Sequence, residues 1–557
     1  MKKNKLISIL LSTCILCALA PTSLIGNAAS SDPIVECYNG FFTGTTENGL
    51  TSFKGIPYAK APVGKLRWKA PQPVEKTNAS YSAKNFGKSC FQAKADSEAA
   101  SMNPAGISED CLTLNVFSKA DSKKNKPVMF WIHGGAFTYG GTSDPLYNGQ
   151  TIIEEHPDVI VVTANYRVGI LGFADFVGAK VPGSEKYKEA GYLGILDQIE
   201  ALRWVKQNIE AFGGDPNNVT IFGESAGGGS VAALLTIKEA EGLFQHAIAE
   251  SGSVNFSTTH AGNDRYGQVQ MLMKKTGAKN MDDLIKIPEE KLLEIYLSDD
   301  KNGCLASLPY LPLRGDDSII PADPYQALAD GMSKDVDLII GTTTDENRYF
   351  IDAICDPELA SLSGDEYTKM TEFKMNLFYQ AVCEKKFNYF LSQCTDEEKA
   401  RIQQVLNMYA DQPEIWKRVE VINEYSFRLP AIQVALCHEA AGGTGNTYMY
   451  LFGKKNTRLP WIGACHACEL SYVFHNLEDE QFSGPVDKKL ADNMCNAWTN
   501  FAKTGNPTSK NMVWTPFTSD KLDTLVVYDD CHTEMVSDPK SESRKLLTPI
   551  LKYYAAM

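Results

Sequence analysis

The sequence predicts an α/β fold: a central, mostly parallel twisted sheet flanked by helices, with a large helical insertion over one end of it. Three observations carry that expectation. Strand-like and helix-like patterns alternate through the first half of the chain, the order that builds parallel strands joined by crossover helices. The strand-like runs are short and almost continuously apolar, as in strands covered on both faces. One of them, Val219-Thr220-Ile221-Phe222, leads directly into Gly223-Glu224-Ser225-Ala226-Gly227, then Gly228, Gly229 and an Ala/Leu-rich stretch. That is a strand, a tight turn and a helix in succession.

In chain order, the first apolar runs are Val128-Met129-Phe130-Trp131-Ile132 and Val159-Ile160-Val161-Val162-Thr163. Between the second and Val219 lies a helix spanning residues 193 to 212, with apolar residues at Ile195, Ile199, Leu202, Val205 and Ile209 and a stop at Gly213-Gly214. His246-Ala247-Ile248-Ala249 follows as a strand, then Leu338-Ile339-Ile340 and Tyr448-Met449-Tyr450-Leu451. The roughly hundred residues between these last two are mostly helical and charged, an insertion expected to cap the sheet. No internal repeat, low-complexity tract or Pro/Ser-rich linker divides the chain, so one elaborated domain from residue 30 to 557 is expected.

Of the 557 residues 43% are apolar, enough for a large core, and the net charge of −14 is spread without a basic cluster beyond the first five residues. Nucleic acid is therefore excluded as a partner. Lys2, Lys3 and Lys5 precede an apolar stretch from Leu6 to Ala20 and the small residues Asn27-Ala28-Ala29, the pattern of a secretory leader over residues 1–29. A membrane anchor is the alternative, but the apolar run is shorter than the ~20 residues a span needs. Leu11-Ser12-Thr13-Cys14 only partly resembles a lipidation signal. No later segment is long or apolar enough to cross a bilayer. The expectation is an exported protein. Of its fourteen cysteines, Cys14 and Cys17 leave with the leader, and the remaining twelve would meet an oxidising compartment that permits disulfides.

The turn at Ser225 has the form of a nucleophile elbow, in which flanking glycines leave room for a sharply bent backbone and the serine sits at a helix N-terminus. A serine hydroxyl needs a base to take its proton, and the base needs an acid to fix its tautomer. Acid and histidine should follow the serine in the chain. The downstream histidines are His246, His260, His438, His466, His475 and His532. His466, in the small-residue loop Gly463-Ala464-Cys465-His466-Ala467-Cys468 after the Pro460-Trp461 turn, is the strongest candidate base. His246 and His475 lie in packing segments. The same loop has CxxC spacing, which in other settings marks a zinc site or a redox pair, but no second ligand pair accompanies it. Asp345 and Glu346 follow the strand ending at Ile340, at the sheet's expected C-terminal edge. Adjacent residues point apart, so one of the two reaches the imidazole, and spacing does not choose between them. Trp131-Ile132-His133-Gly134-Gly135-Ala136-Phe137 supplies a glycine-rich loop whose amides at Gly135 and Ala136, with that of Ala226, are the natural donors to an oxyanion. His133 is expected to brace this loop. The chemistry requires neither metal nor organic cofactor.

These residues resemble the type-B carboxylesterase family of cholinesterases, animal carboxylesterases and bacterial para-nitrobenzyl esterases. The likeness spans nearly the whole mature chain: Phe53-Lys54-Gly55-Ile56-Pro57-Tyr58-Ala59, Ser108-Glu109-Asp110-Cys111-Leu112-Thr113-Leu114-Asn115, the loop at His133, Asn165-Tyr166-Arg167, Phe212-Gly213-Gly214-Asp215-Pro216, the elbow, and Trp498-Thr499-Asn500-Phe501-Ala502-Lys503-Thr504-Gly505-Asn506-Pro507. The resemblance implies the α/β-hydrolase fold, a small-molecule carboxylic ester as substrate, Ser225 as nucleophile, Glu346 as acid, His466 as base, and a disulfide between Cys90 and Cys111. Amide or carbamate cleavage on the same site, or a binding protein that kept the fold, are the rival readings. Three positions depart from the family pattern: Asn347 and Glu250 stand where glycine and glutamine are usual, and Arg314 where aspartate is common.

Overall fold

Among the described residues, eleven strands form the principal sheet, seven of them in a parallel centre and four at its antiparallel edges. The computed structural model describes residues 32–92, 104–255, 265–301, 303–307, 312, 315–352, 384–412, 414–457, 462–478 and 483–551. The leader with Cys14, His260, Arg314 and the Pro460-Trp461 turn lie outside them.

The centre of the sheet is parallel: β8 (Ile160–Ala164), β7 (Lys126–Ile132), β9 (Gly214–Glu224), β10 (His246–Glu250), β11 (Asp337–Thr343), β12 (Thr447–Phe452) and β13 (Asp523–Val527). Their interior runs are the apolar ones read from the sequence. Both faces are covered, and alternate residues of β7 enter different core layers: Val128, Phe130 and Ile132 join one, Met129 and Trp131 the other. The edges are antiparallel. β14 (Thr533–Ser537) pairs with β13 on one side, and β6 (Thr113–Lys119), β4 (Leu50–Pro57) and β3 (Thr45–Glu47) extend the other. A separate three-stranded sheet joins β1 (Ile34–Cys37), β2 (Gly40–Thr43) and β5 (Ser80–Ser82).

The crossover before β9 is the helix Leu193–Asn208, which tightens into a 3₁₀ turn at Ile209–Phe212 and stops at Gly213 in the left-handed region, φ 89°. The helix after β9 is Ala226–Leu234. Between β11 and β12 the insertion includes helices Glu384–Gln393, Asp396–Met408, Glu414–Asn423 and Leu429–Ala440. The last two are joined by a π-helical turn, Glu424–Arg428, a rare geometry that re-aims the side chains it carries.

The expected bridge between Cys90 and Cys111 is not formed. Both are buried thiols: Cys90 donates to the Val168 carbonyl at 3.7 Å, and the Cys111 thiol lies in hydrogen-bonding contact with Cys90. The two groups meet, as the resemblance implies, but each is accommodated without a bond between them.

Candidate active site at the C-terminal edge of the sheet

Register brings the ends of four central strands to one level. Ile132 of β7 pairs with Gly223 of β9, Glu224 of β9 with Glu250 of β10, and Glu250 with Gly341 of β11. Each strand therefore releases its following loop at the same edge, where α/β sheets place their ligand sites.

Ser225 is the first residue beyond β9, with φ 58° and ψ −119°. L-residues avoid this region, at a cost on the order of 1–3 kcal/mol. Two hydrogen bonds hold it there: Ser225 N donates to the Glu250 carbonyl at 2.9 Å, and Gly229 N donates to the Ser225 carbonyl at 2.8 Å. The neighbouring glycines serve close approach. A Cβ on Gly227 would stand 2.0 Å from the Ile132 carbonyl oxygen, and one on Gly228 2.4 Å from that of Glu250. Only glycine lets the elbow pack directly on β7 and β10.

The loop after β7 lies against this elbow, since a Cβ on Gly134 would come within 3.2 Å of Ser225 Cβ. Gly135, Ala136 and Phe137 all have positive φ, 102°, 52° and 58°. His133 braces the loop as expected: its Nδ1 lies 2.8 Å from the Gly134 carbonyl, and its ring stacks on Tyr166 at 4.3 Å. Burial lowers its pKa to about 4, so it is neutral at pH 7. The Asn165-Tyr166-Arg167 segment holds the loop from beneath, with Tyr166 Oη donating to the His133 carbonyl at 2.8 Å and Asn165 Oδ1 accepting from Thr142 N at 2.8 Å. Arg167 in turn is fixed by Asp197, through Nε at 2.8 Å and Nη2 at 2.7 Å, both groups being buried.

Beyond β11, Asp345 and Glu346 do point apart. Asp345 Oδ2 accepts from Ala464 N at 2.9 Å, and its Oδ1 pairs with Arg348 Nε at 3.0 Å, so Asp345 ties the His466 loop to the sheet. Glu346 Oε2 reaches His466 Nδ1 at 2.6 Å, while its Oε1 accepts from Thr343 N at 2.8 Å and Ser251 Oγ at 2.7 Å. Asn347 is the second residue of the helix Glu346–Asp352 and does not use the left-handed backbone its family counterpart suggests. Its N–H instead donates to Asn423 Oδ1 at 2.8 Å, anchoring the insertion to the site.

Several neighbours of His466 escape a reading of the sequence. Its Nε2 stands 3.1 Å from Glu224 Oε1, the distance of an ion pair but without the alignment of a hydrogen bond. Glu224 sits inside the elbow motif itself, so the signal was there. Phe427, on the π-helical turn, places its ring 5.0 Å from the imidazole, and Tyr349 lies at 6.0 Å. Glu469 accepts from Tyr450 Oη at 3.0 Å, and Glu250 from Trp498 Nε1 at 2.5 Å. Burial first, then neighbouring carboxylates, push the Glu224 and Glu250 carboxyls well up from their usual range, and burial with Glu346 brings Glu469 to about 7. The other downstream histidines that the structure describes are occupied elsewhere: His246 with Asp337 at 3.0 Å, His438 with Thr447 at 2.8 Å, His475 with Asp492 at 2.7 Å, and exposed His532 with Asp530.

The sequence model of the carboxylesterase family matches residues 31–543. The chain is 35% identical over 529 residues to a para-nitrobenzyl esterase of Bacillus subtilis, covering 93% of this chain and 98% of that protein. It is 32% identical over 509 residues to a mouse cholinesterase, covering 84% and 78%. Among solved structures, a thermophilic PNB esterase superposes with a TM-score of 0.73 at 34% identity, covering 92% of this chain and 99% of that one. A Geobacillus stearothermophilus carboxylesterase gives 0.72 at 32% identity with the same coverage. The sheet and its elbow are thus those of the α/β-hydrolase fold, and the chain belongs to the carboxylesterase family, the hydrolases of carboxylic esters.

Proposed function

We propose that this protein is an exported serine hydrolase that cleaves small carboxylic esters through an acyl-enzyme, with Ser225 as nucleophile, His466 as base and Glu346 as its orienting acid. The observation that carries the reading is the 2.6 Å contact between Glu346 and His466, on loops that reach the residue preceding a serine held at φ 58°. Glu346 at Nδ1 selects the tautomer whose proton is on that nitrogen, which leaves Nε2 able to accept.

The Ser225 hydroxyl then attacks the carbonyl carbon as its proton passes to His466 Nε2. The carbonyl oxygen takes up the displaced electron pair, and the N–H groups of Gly135, Ala136 and Ala226 receive it. Collapse of the tetrahedral adduct expels the alcohol, to which His466 returns the proton. Water repeats the sequence on the acyl-enzyme and releases the acid. Burial, then the neighbouring carboxylates, raise the Glu224 carboxyl well above its usual range, which disfavours a second full negative charge beside the transient imidazolium. Export is supported by the leader pattern at Lys2, Lys3, Lys5 and residues 6–29.

The test is Ser225→Ala, expected to reduce hydrolysis of a short-chain aryl ester to background with the melting transition unchanged. Stoichiometric labelling of Ser225 by an aryl organophosphonate should accompany it. Near-wild-type turnover in the variant would sink the reading. N-terminal sequencing of the secreted protein, expected to begin near residue 30, tests export separately.

A further inference from the structure

The CxxC spacing around His466 has no part in that reaction, yet its geometry is specific. Cys468 N donates to the Cys465 carbonyl at 3.2 Å, closing a four-residue turn with His466 and Ala467 at its centre. Ala467 has φ 67°, the left-handed value that the third position of a type II turn demands and that glycine would adopt without strain. Cys465 and Cys468 are free thiols in the structure, like Cys90 and Cys111; the Cys468 thiol lies in hydrogen-bonding contact with that of Cys465, and both residues are buried, 0% and 1% exposed. The first and fourth Cα atoms of such a turn are less than about 7 Å apart, and disulfides span about 4.4–6.8 Å, so the turn brings the two cysteines within reach of a bridge.

From this geometry we infer that Cys465 and Cys468 form a disulfide in an oxidising compartment, and that the bridge clamps the turn presenting His466. In forming it, each thiol gives up its proton and one electron. The two electrons reduce the S–S bond of a small or protein disulfide oxidant to two thiols, and the new bond joins the two Sγ atoms. Burial raises the Cys468 thiol well above its usual range and shuts out oxidants, so the bridge forms as the chain folds and the finished protein resists its reversal. Closing a four-residue loop in the unfolded chain shifts the folding equilibrium about twentyfold toward the native state by the chain-entropy relation. The strained Ala467 gains a covalent restraint, and His466 keeps its place against Glu346. The clamp's value to catalysis rests on the role proposed for His466, but the bond itself does not.

The test follows from a convenience of sequence. Trypsin releases residues 459–488 as one peptide in which Cys465 and Cys468 are the only cysteines. The full chain is produced in an oxidising and in a reducing compartment, denatured, alkylated with iodoacetamide and digested. From the oxidising compartment the peptide should be unalkylated and two hydrogens lighter than the dithiol; from the reducing one it should carry two alkyl groups. Two alkyl groups from both sources overturn the proposal. Bridged protein should also lose aryl esterase activity on heating several-fold more slowly than reduced wild type and than the Cys465→Ser/Cys468→Ser variant. Equal rates for bridged and reduced wild type would overturn the clamp, whatever the variant's fold. A bridged protein without esterase activity would refute the role given to His466 and leave the bond established.

Discussion

Glu346→Gln discriminates between the two adjacent acids and tests the tautomer argument together. Glu346 Oε1 is fixed by two donors, Thr343 N at 2.8 Å and Ser251 Oγ at 2.7 Å. A glutamine must therefore keep its carbonyl oxygen at that end, which turns its NH₂ toward His466 Nδ1, where a carboxylate oxygen lies at 2.6 Å in the native side chain. Two donors cannot face one another, so the imidazole moves its proton to Nε2 and loses the lone pair that would accept from Ser225. The analogous loss in a serine triad lowers kcat by about 10⁴, or about 5.5 kcal/mol at 1.36 kcal/mol per decade. The assay is release of nitrophenol from a short-chain nitrophenyl ester, with the thermal transition recorded to verify folding. Asp345→Asn is the control. Its carbonyl oxygen can still accept from Ala464 N, now at 2.9 Å from Oδ2, and it loses only the ion pair with Arg348, so kcat should fall by less than about tenfold. A folded Glu346→Gln variant within tenfold of wild type would refute the reasoning, as would a reversed ranking of the two substitutions.

Three further outcomes are expected. Glu250→Gln should stabilise the protein above pH 5 to an extent that grows with pH. The folded Glu250 carboxyl is raised above its unfolded value of about 4.3, so its unfavourable contribution is absent below that value and accumulates as pH rises toward the folded pKa; urea midpoints at pH 4.5 and 8 read the difference, and equal shifts at both would contradict it. Gly227→Ala places a Cβ 2.0 Å from the Ile132 carbonyl oxygen, backbone that cannot yield without moving β7, and should cost at least about 3 kcal/mol in chemical denaturation. Asp197→Ala leaves the buried Arg167 guanidinium without its partner, at a cost of about 3–5 kcal/mol measured the same way, with esterase activity falling as the His133 loop loses its support.

What the sequence disclosed follows from where each signal resides. The central strands were legible because burial on both faces writes them as apolar runs, such as Val128 to Ile132, independent of their neighbours. The edge strands were not. β3 and β5 are three residues long and partly or wholly exposed, and what makes them strands is pairing with β4 and β2, which a linear reading does not contain. The same division runs through the site. Ser225 announced itself through local backbone demands that glycines satisfy, whereas the choice of Glu346 over Asp345 depends on which carboxyl faces His466 across 120 residues of chain. Phe427 had no local signal at all, because its place beside the imidazole is set by a π-helical turn that repositions one helix of the insertion relative to the next. The Cys90–Cys111 pairing came from resemblance, and resemblance transmitted their proximity but not their bonding state.

The buried acids explain how such a site tolerates its own charge. Glu224, Glu250, Glu346 and Glu469 are all at most 3% exposed around the ends of β9, β10 and β11. Burial and the neighbouring carboxylates oppose ionisation of Glu224, Glu250 and Glu469, and hydrogen-bond donors are shared unevenly among the four. Glu346 receives three: a backbone amide, a serine hydroxyl and the imidazole. Glu224, Glu250 and Glu469 each retain an oxygen without a hydrogen-bond partner, and each is pushed toward its neutral form. The arrangement thus concentrates hydrogen bonding on the one carboxyl aimed at His466 Nδ1. Glutamine at position 250 would do this without a titratable group. Glutamate there makes the balance depend on pH, and the alkaline stability of Glu250→Gln measures how much.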